Sequence, residues 1–561
     1  MKSTALLASG IVHWPLALAV SAAMAALACT ALPSRAQTSR QMPPPSQELH
    51  ASRIHPSPQG ESSSPQISTF EAVTVRGNWL DDPNQEKVLE HAGARTIIDR
   101  TRMQESASSS VRDVLRLVPG VQVQDSNGTG GSDVGLNLGV RGLSARLSPR
   151  SYVLMDGIPV SYAPYGQPQL SLAPVTLGNL TSVDVIRGAG SVRHGPQNVG
   201  GILNFVTRDI PKEFAAEVAT GAEYYGHTGN VKATPSFFVG GTAGNGLGAA
   251  LLYSGIHGKG WRSSNDKTDI DDVLLKGAYR LNGTSTLSAR VHHFEGEGRM
   301  PGGLTTAEFA ADPFQSTRRH DEFTGRRTDG SVKYLHDDGI NNLEVLTYYV
   351  DSFRGSHIEQ EQNGRRRLTA APRNYHYYGI ESRYSRLFEL GEMVHEVSVG
   401  HRYLKERAHE TALRTAFYTP GTEDSFAALP LNAYQHSNGA THATALFIDD
   451  RIDWGNWTLT PGVRYERIRT FNDVSTLTPA TGTVTATRRP AAPPPTPTNG
   501  CPPFRCATAC RMAGRSLPTP ANPSARSSTA SWPRANAACT RKPPPPTSWV
   551  ATSTTPPGMA S

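Results

Sequence analysis

Apolar and polar residues alternate along much of the chain between residues 215 and 487. The clearest case is residues 456–466, whose alternate positions are apolar (Trp457, Leu459, Val463 and Tyr465) and polar (Thr458, Thr460, Arg464 and Glu466). The same period occurs in residues 248–257, 270–280, 285–295, 342–352, 378–388, 394–405 and 442–453. A period of two predicts β-strands that have one apolar and one polar face.

Each of these segments is about ten residues long, the length that a tilted strand needs to cross a bilayer. We count roughly eleven such strands before Thr487. In a transmembrane barrel the apolar faces would meet lipid and the polar faces the lumen. A soluble β-sandwich has similar alternation, so the strands alone leave both architectures open. The long polar stretches 296–327 and 355–372 are predicted to be loops on the outer face.

The pattern differs in residues 111–207, which open with a helical stripe formed by Val111, Val114, Leu115 and Val118. Pro119 and Gly120 end that helix, because neither residue favours its continuation. Short strands follow, several of them closed by glycine, at residues 121–124, 140–142, 152–157, 183–188 and 201–207. This order predicts a compact α+β domain that is too irregular for a βαβ repeat.

Residues 1–36 have the features of a cleaved secretory signal. Lys2 gives the positive start, residues 16–28 the apolar core, and Ser34-Arg35-Ala36 the small-x-small cleavage site. A lipoprotein signal through Cys29 is the alternative, although the preceding leucine lies one position too close. Residues 37–69 are rich in Pro, Ser and Gln and are predicted to be a disordered linker, too short and polar for a folded signalling domain.

Composition excludes a polytopic helical membrane protein, because only 37% of residues are hydrophobic and the mean hydropathy is −0.40. The formal charge of +7 does not indicate nucleic-acid binding, since the residues from Arg488 onward contain nine basic side chains and no acidic one. The five cysteines are Cys29 and four in this tail. The body between them therefore has neither a disulfide framework nor thiol chemistry.

A family resemblance is carried by the runs Asn127-Gly128-Thr129-Gly130, Gly139-Val140-Arg141-Gly142-Leu143, Val153-Leu154-Met155-Asp156-Gly157-Ile158-Pro159-Val160, Ala163-Pro164-Tyr165-Gly166-Gln167-Pro168-Gln169-Leu170-Ser171-Leu172-Ala173-Pro174, Val192-Arg193-His194-Gly195-Pro196-Gln197 and Asn204-Phe205-Val206-Thr207-Arg208. They resemble the plug of TonB-dependent outer-membrane receptors, and specifically of ferric-dicitrate receptors. The resemblance implies a mainly β fold with an N-terminal α+β plug inside a transmembrane antiparallel β-barrel. Because the strands end near Thr487, only about the first half of that barrel is expected.

The expected order is signal peptide 1–36, linker 37–69, TonB box segment 70–82, plug 83–211, barrel half 215–487 and tail 488–561. The TonB box, by resemblance, consists of Glu71, Ala72, Val73, Thr74 and Val75. An exposed unpaired strand there can add to the sheet edge of a periplasmic partner through backbone hydrogen bonds. The alternative is that these residues form the first strand of the plug.

Four ligand-contacting positions follow from the resemblance: Thr129 and Gln167 at plug apices, and Arg354 and Arg373 at the bases of one outer loop. Arginine suits a carboxylate-rich ferric chelate, being permanently charged and able to bond a carboxylate bidentately. These arginines could instead be loop residues that face lipopolysaccharide or solvent. The further arginine that the family carries on a later loop has no evident counterpart in residues 419–440.

No motif argues for an enzyme: residues 188–190 lack the third glycine of a dinucleotide loop, and His395-Glu396 lacks a second histidine four residues on. His292 and His293 lie on opposite faces of one strand and cannot chelate together. We expect no resident cofactor or metal, iron being carried as part of the ferric-citrate ligand. The expected partners are TonB with ExbB–ExbD, a ferric chelate, and outer-membrane lipid and lipopolysaccharide.

The resemblance implies active, TonB-dependent import of a ferric chelate or siderophore, with ferric dicitrate the first candidate. The alternatives are a surface receptor that binds and signals without transport, a passive porin-like channel, and a non-functional truncated product. The tail holds 17 of the 42 prolines, so it cannot supply central barrel strands. A frameshift near Thr487 is the expected cause, and a native low-complexity tail is the alternative.

Overall fold

The computed structural model describes residues 88, 91, 93–124, 135–146, 148, 150–166, 170, 173–187, 192–195, 198–420, 431–480, 483–488 and 512–514. The predicted signal peptide, linker and TonB box lie outside the described residues, as does most of the tail. The described part of the chain contains no helix that is long and apolar enough to cross a membrane.

The first domain is built on a five-stranded sheet with the strand order β1-β6-β7-β4-β5. Its strands, with the separate hairpin β2–β3, are β1 (Ala94–Asp99), β2 (Val121–Val123), β3 (Leu138–Val140), β4 (Ser151–Met155), β5 (Ile158–Pro159), β6 (Leu180–Arg187) and β7 (Gly201–Thr207). β4 and β7 are parallel, and the other neighbours are antiparallel. This is the α+β domain that the sequence predicts.

Two short helices cover one face of this sheet. Helix α1 (Arg100–Glu105) begins at Asp99, whose side chain accepts a hydrogen bond from the Arg102 amide. Helix α2 (Val111–Arg116) begins with a capping box, in which the Ser110 and Asp113 side chains each accept from the other's backbone amide. The predicted stripe of α2 is confirmed, since Val114 and Leu115 are fully buried in the apolar core of the domain.

The second domain is one continuous antiparallel sheet, and eleven long strands of the described residues form its wall. They are β8 (Ala215–Tyr225), β9 (Asn230–Thr242), β10 (Leu247–Lys259), β11 (Lys267–Arg280), β12 (Ser285–Arg299), β13 (Glu322–Asp337), β14 (Asn341–Gln362), β16 (Arg373–Leu390), β17 (Met393–Arg414), β18 (Asn432–Trp454) and β20 (Gly462–Ala480). Shorter strands are β15 (Arg365–Ala370), β19 (Trp457–Leu459), β21 (Thr483–Arg488) and β22 (Met512–Gly514). Among the described residues, β8 pairs only with β9. β22 lies in the predicted tail and pairs with β19, so this proline-free piece of the tail does form sheet.

The two faces of the wall decide between barrel and sandwich. On β12, Arg290 and His292 are buried, whereas Val291 between them is 54% exposed. Leu275 on β11 and Tyr349 on β14 are likewise more than half exposed. A soluble sandwich buries its apolar face and exposes its polar face. Apolar side chains outside and charged side chains inside are the arrangement of a transmembrane barrel whose lumen is filled by the first domain, the plug.

Two predicted loops have different bounds in the structure. The stretch 296–327 contains a loop only at residues 300–321, which include helix α3 (Thr306–Ala311). The stretch 355–372 is not a loop, because β14 and β15 form a hairpin closed by Asn363 and Gly364. Both turn residues have positive φ, 52° and 69°, as a two-residue type I′ turn requires. Apart from Ile358, Leu368 and Ala370, most residues of both arms are polar, which is why the sequence shows no clear alternation here.

Candidate functional site

The turn at Asn363 and Gly364 brings two arginines together. Pairing of Gln362 with Arg365 at the turn sets a register that continues down into β16 and places Arg354 directly opposite Arg373. Both arginines lie in strands, at the base of the hairpin that occupies the predicted loop 355–372. Their positions in the alternation direct both side chains into the lumen, where each is partly buried.

The same level of the barrel carries a carboxylate on the next strand. Glu410 of β17 is the register partner of Arg373, so Arg354, Arg373 and Glu410 form a charged row across three neighbouring strands. The Tyr375 hydroxyl donates to Glu410 Oε1 over 2.7 Å. Arg373 Nη1 lies 3.7 Å from the same oxygen. The charged row therefore has two cations and one anion.

The plug approaches the charged row through Tyr162. The Tyr162 ring lies 5.2 Å from that of Tyr375, and both rings are nearly fully buried. Arg354 lies with its Cζ atom 5.3 Å from the centre of the Phe323 ring. Its Nε atom is buried without a hydrogen-bond partner in the part of the chain that the structure describes. A ligand that reaches this level therefore meets guanidinium groups beside aromatic rings.

The plug segment that follows Tyr162 is held by the barrel wall. The backbone amides of Tyr165 and Gly166 donate to Glu406 Oε2 and Oε1 over 3.1 and 2.7 Å. Gln167, the next residue, lies outside the described residues, as does Thr129. The roles in ligand binding of all four predicted residues stay predictions.

Loop 300–321 is fixed to its neighbours at the same end of the barrel. Phe314 stacks on His227 with 3.6 Å between ring centres, and it meets Trp261 edge-on. At the end of the loop, the buried Asp321 accepts the Glu359 amide over 2.6 Å. Burial raises the pKa of the Asp321 carboxyl to about 7, and the neighbouring carboxylate of Glu359 adds to that rise.

Two sequence models of known families match this chain in succession. The TonB-dependent Receptor Plug Domain matches residues 87–202, and the TonB dependent receptor-like beta-barrel matches residues 221–491. The chain belongs to the TonB-dependent receptor family. This is a family of transporters and receptors, not of enzymes. The prediction from the resemblance is thereby confirmed, including the plug and the barrel.

Known proteins are similar to this chain over part of its length, two of them in solved structure and one in sequence. The unliganded ferric citrate transporter FecA has a TM-score of 0.67 at 44% identity, covering 74% of this chain and 62% of that one. The ferric-catecholate import receptor Fiu from E. coli K12, closed form, has a TM-score of 0.58 at 15% identity, covering 74% and 64%. The vitamin B12 transporter BtuB of Photobacterium profundum is 28% identical over 241 residues, 41% of this chain and 36% of its own length. The similarity spans less than two thirds of each relative.

Buried ionic and hydrogen-bonded contacts join the plug to the barrel. His292 is fully buried, and its Nε2 and Nδ1 atoms lie 2.9 Å from Asp272 Oδ1 and from Asp329 Oδ2. Asp272 also accepts from the hydroxyl of plug residue Thr176 over 2.7 Å. Asp329 is joined to plug residue Asp156 through Arg290, at 2.5 Å on each side. Because both ring nitrogens of His292 face a carboxylate, the imidazole serves as a structural cation rather than as half of a chelate with His293.

Glu410, Tyr375 and Tyr162 are site residues that the sequence analysis missed. The signal for Glu410 is present in the sequence: the turn after Leu390 pairs that residue with Met393, and counting outward reaches Arg373 opposite Glu410. The signal for Tyr162 is absent, because nothing local to the plug states which strand it meets.

Proposed function

We propose that this receptor imports a ferric chelate across the outer membrane by TonB-dependent active transport, and that the chelate is ferric citrate. The observation that carries the proposal is the pair Arg354 and Arg373, set side by side on the lumen face next to plug residue Tyr162. The similar protein FecA is a ferric citrate transporter, which supports the choice of citrate.

The chemistry of the pair fits such a cargo. A guanidinium group bonds a carboxylate through two parallel N–H groups, and partial burial strengthens this attraction relative to water. Two guanidinium groups at one level can hold two carboxylates of one chelate. The nearly fully buried rings of Tyr162 and Tyr375 lie beside the pair. Iron enters as part of the cargo and needs no protein ligand.

Energy coupling is assigned to the box Glu71, Ala72, Val73, Thr74 and Val75, on which TonB with ExbB–ExbD would act from the periplasm. A cavity of about 770 Å³ lies between the plug helices and the barrel strands β8–β11. Its plug side includes Met103, Ser110 and Asp113, and its barrel side includes Thr220 and Ile270. This cavity leaves room for the N-terminal part of the plug to shift when it is pulled.

Uptake of radioactive iron citrate tests the transport claim. The full chain is expressed in cells that lack their own ferric-citrate receptor, with and without residues 71–75. We expect deletion of the box to abolish uptake and to leave binding at the cell surface intact. Uptake that survives the deletion would contradict active transport. Binding without uptake in the intact chain would favour the surface receptor instead.

Replacement of the arginines tests the ligand site. We expect Arg354→Ala and Arg373→Ala each to weaken ferric-citrate binding about 10- to 100-fold, because each removes charge-assisted hydrogen bonds. The matched control is Arg407→Ala, which removes an exposed arginine from the outward side of β17. Calorimetric titration of the purified chain measures the affinities. Equal effects of Arg407→Ala and Arg373→Ala would show a general charge effect and would contradict the site.

A further inference from the structure

The charged row contains a carboxylate, Glu410, beside the two arginines proposed to bind an anionic chelate. Arg354 and Arg373 are direct cross-strand neighbours, and like charges at such positions repel. Glu410 lies on the other side of Arg373 and at the same level. An anionic chelate that approaches the two guanidinium groups therefore also approaches a carboxylate of its own sign.

The bonds of Glu410 show how this carboxylate is held. Tyr375, which is 1% exposed, donates its hydroxyl hydrogen to Glu410 Oε1 over 2.7 Å. The distance of 3.7 Å from Arg373 Nη1 to that oxygen is an ion pair but exceeds a hydrogen bond. Both ion-pair partners keep some solvent contact, with 27% and 21% of their side chains exposed. Arg373 is thus attracted by Glu410 without being fixed to it.

We propose that Glu410 is a specificity-determining residue that stands in for a ligand carboxylate in the empty site. It pairs with Arg373 when no chelate is bound, and a chelate must displace it to engage both arginines. A chelate with several free carboxylates can bond both arginines, which offsets the free energy lost when Glu410 leaves Arg373. A chelate without free carboxylates forms no such bonds. This inference rests on the proposed function, because it concerns the same site.

Tyr375 is a positioning residue in this scheme. Its hydroxyl holds the Glu410 carboxylate in place, and without it the carboxylate can close on Arg373. Substitutions at the two positions should therefore shift affinity in opposite directions. Glu410→Gln removes the competing charge but keeps an oxygen that can accept from Tyr375. Tyr375→Phe removes the hydroxyl but keeps the ring that packs on Tyr162.

The test is calorimetric titration of the full chain in detergent with ferric citrate. We expect Glu410→Gln to bind about tenfold more tightly than the unchanged chain, a shift of about 1.4 kcal/mol. Tyr375→Phe should bind about threefold more weakly, because the released Glu410 carboxylate forms a closer, partly exposed ion pair with Arg373. Glu361→Gln is the matched control, because it removes a carboxylate from the exposed end of β14.

A second ligand and a double variant make the test specific. The neutral tris(acetohydroxamato)iron(III) complex has no free carboxylate, so Glu410→Gln should leave its weak binding unchanged. In the Arg373→Ala background, Glu410→Gln should lose most of its effect, because the competition needs the arginine. Circular dichroism of each variant shows that the sheet is intact.

The outcomes separate the two proposals. If Arg373→Ala loses binding while Glu410→Gln is unchanged or weaker, the inference about Glu410 is overturned and the ligand site stands. An equal gain in Glu361→Gln would also overturn it, because the effect would then be one of overall charge. If neither Arg354→Ala nor Arg373→Ala alters binding, or the unchanged chain does not bind ferric citrate, the proposed function itself fails.

Discussion

Individual buried charged residues of the barrel wall help to hold the plug in place. His292 is the clearest of them, because each of its ring nitrogens faces a carboxylate and one of those carboxylates accepts from plug residue Thr176. Burial of the Asp272 carboxylate is tolerable while His292 pairs with it, since an unpaired buried charge is expensive. Asp329 also pairs with Arg290 and Arg327. Retention of the plug thus depends on His292, although His292 acts on the plug only through its carboxylate partner Asp272.

Replacement of this histidine tests that dependence. We expect His292→Leu to lower the free energy of unfolding by about 3–5 kcal/mol, because it leaves the buried Asp272 carboxylate without its histidine partner. Amide hydrogen exchange in the plug should accelerate around Thr176 and Asn179, which bond to Asp272. His293→Leu is the matched control, being the neighbouring histidine on the other face of β12. Equal exchange in the two variants would contradict the role of His292.

Between strands, the loop 300–321 and the hairpin β14–β15 behave as one unit because Asp321 joins them. The Asp321 pKa is raised from 3.8 to about 7, so the folded loop binds the proton more tightly than the released loop does. Docking of the loop on the hairpin is therefore strongest below pH 3.8, the pKa of Asp321 in the released loop. It weakens as the pH rises from 3.8 to about 7, and it no longer changes above that pH.

This pH dependence can be observed at Trp261, whose ring meets Phe314 of the loop. We expect the fluorine NMR signal of fluorinated Trp261 to move with a midpoint near the raised pKa of about 7. Asp321→Asn removes the titrating group and should abolish the movement. Glu361→Gln, on the same hairpin, should leave it in place. A movement that persists in Asp321→Asn would assign it to another group.

The elements differ in how far the sequence determines them. The period of two predicts the strands from 248 to 466, because successive side chains of a membrane strand face lipid and lumen alternately. The same period does not predict residues 355–372 as strands, since most residues of both hairpin arms are polar. The juxtaposition of Arg354 and Arg373 could be counted from Asn363 and Gly364, once that pair is recognised as a type I′ turn.

Contacts between plug and barrel cannot be predicted by counting strand register from a turn. Glu406 binds the amides of Tyr165 and Gly166 across about 240 residues of sequence. Nothing near either position in the chain states that they meet, because the plug is placed by the shape of the whole lumen. The resemblance to TonB-dependent receptors predicts the two domains and leaves these contacts open.

Over the whole molecule, the first and second parts of the plug differ in how extensively they are bonded to the barrel wall. Its later strands adjoin the buried network around His292, whereas α1 reaches the wall through Arg100 and the partly exposed Glu217. The cavity lies on the side of α1 and α2. Local stability in proteins follows such differences in burial and bonding. The first part of the plug should therefore open before the second.

Hydrogen exchange of the unmodified chain tests this order. We expect amides of α1 and α2 to exchange at least about 100-fold faster than those of β6 and β7, a difference of about 3 kcal/mol. Arg100→Ala should widen the gap by accelerating α1 alone. Arg102→Ala, an exposed change on the same helix, is its control. Uniform exchange across the plug would contradict unequal retention.

The turn at Asn363 and Gly364 has a consequence for how this receptor can vary. Because it sets the register of both arms, adding one residue to each arm lengthens the hairpin and leaves Arg354 opposite Arg373. Adding one residue to a single arm turns every side chain of that arm to the other face. Paired insertions can thus change the outer part of the hairpin while the register of the proposed ligand-binding arginines stays the same.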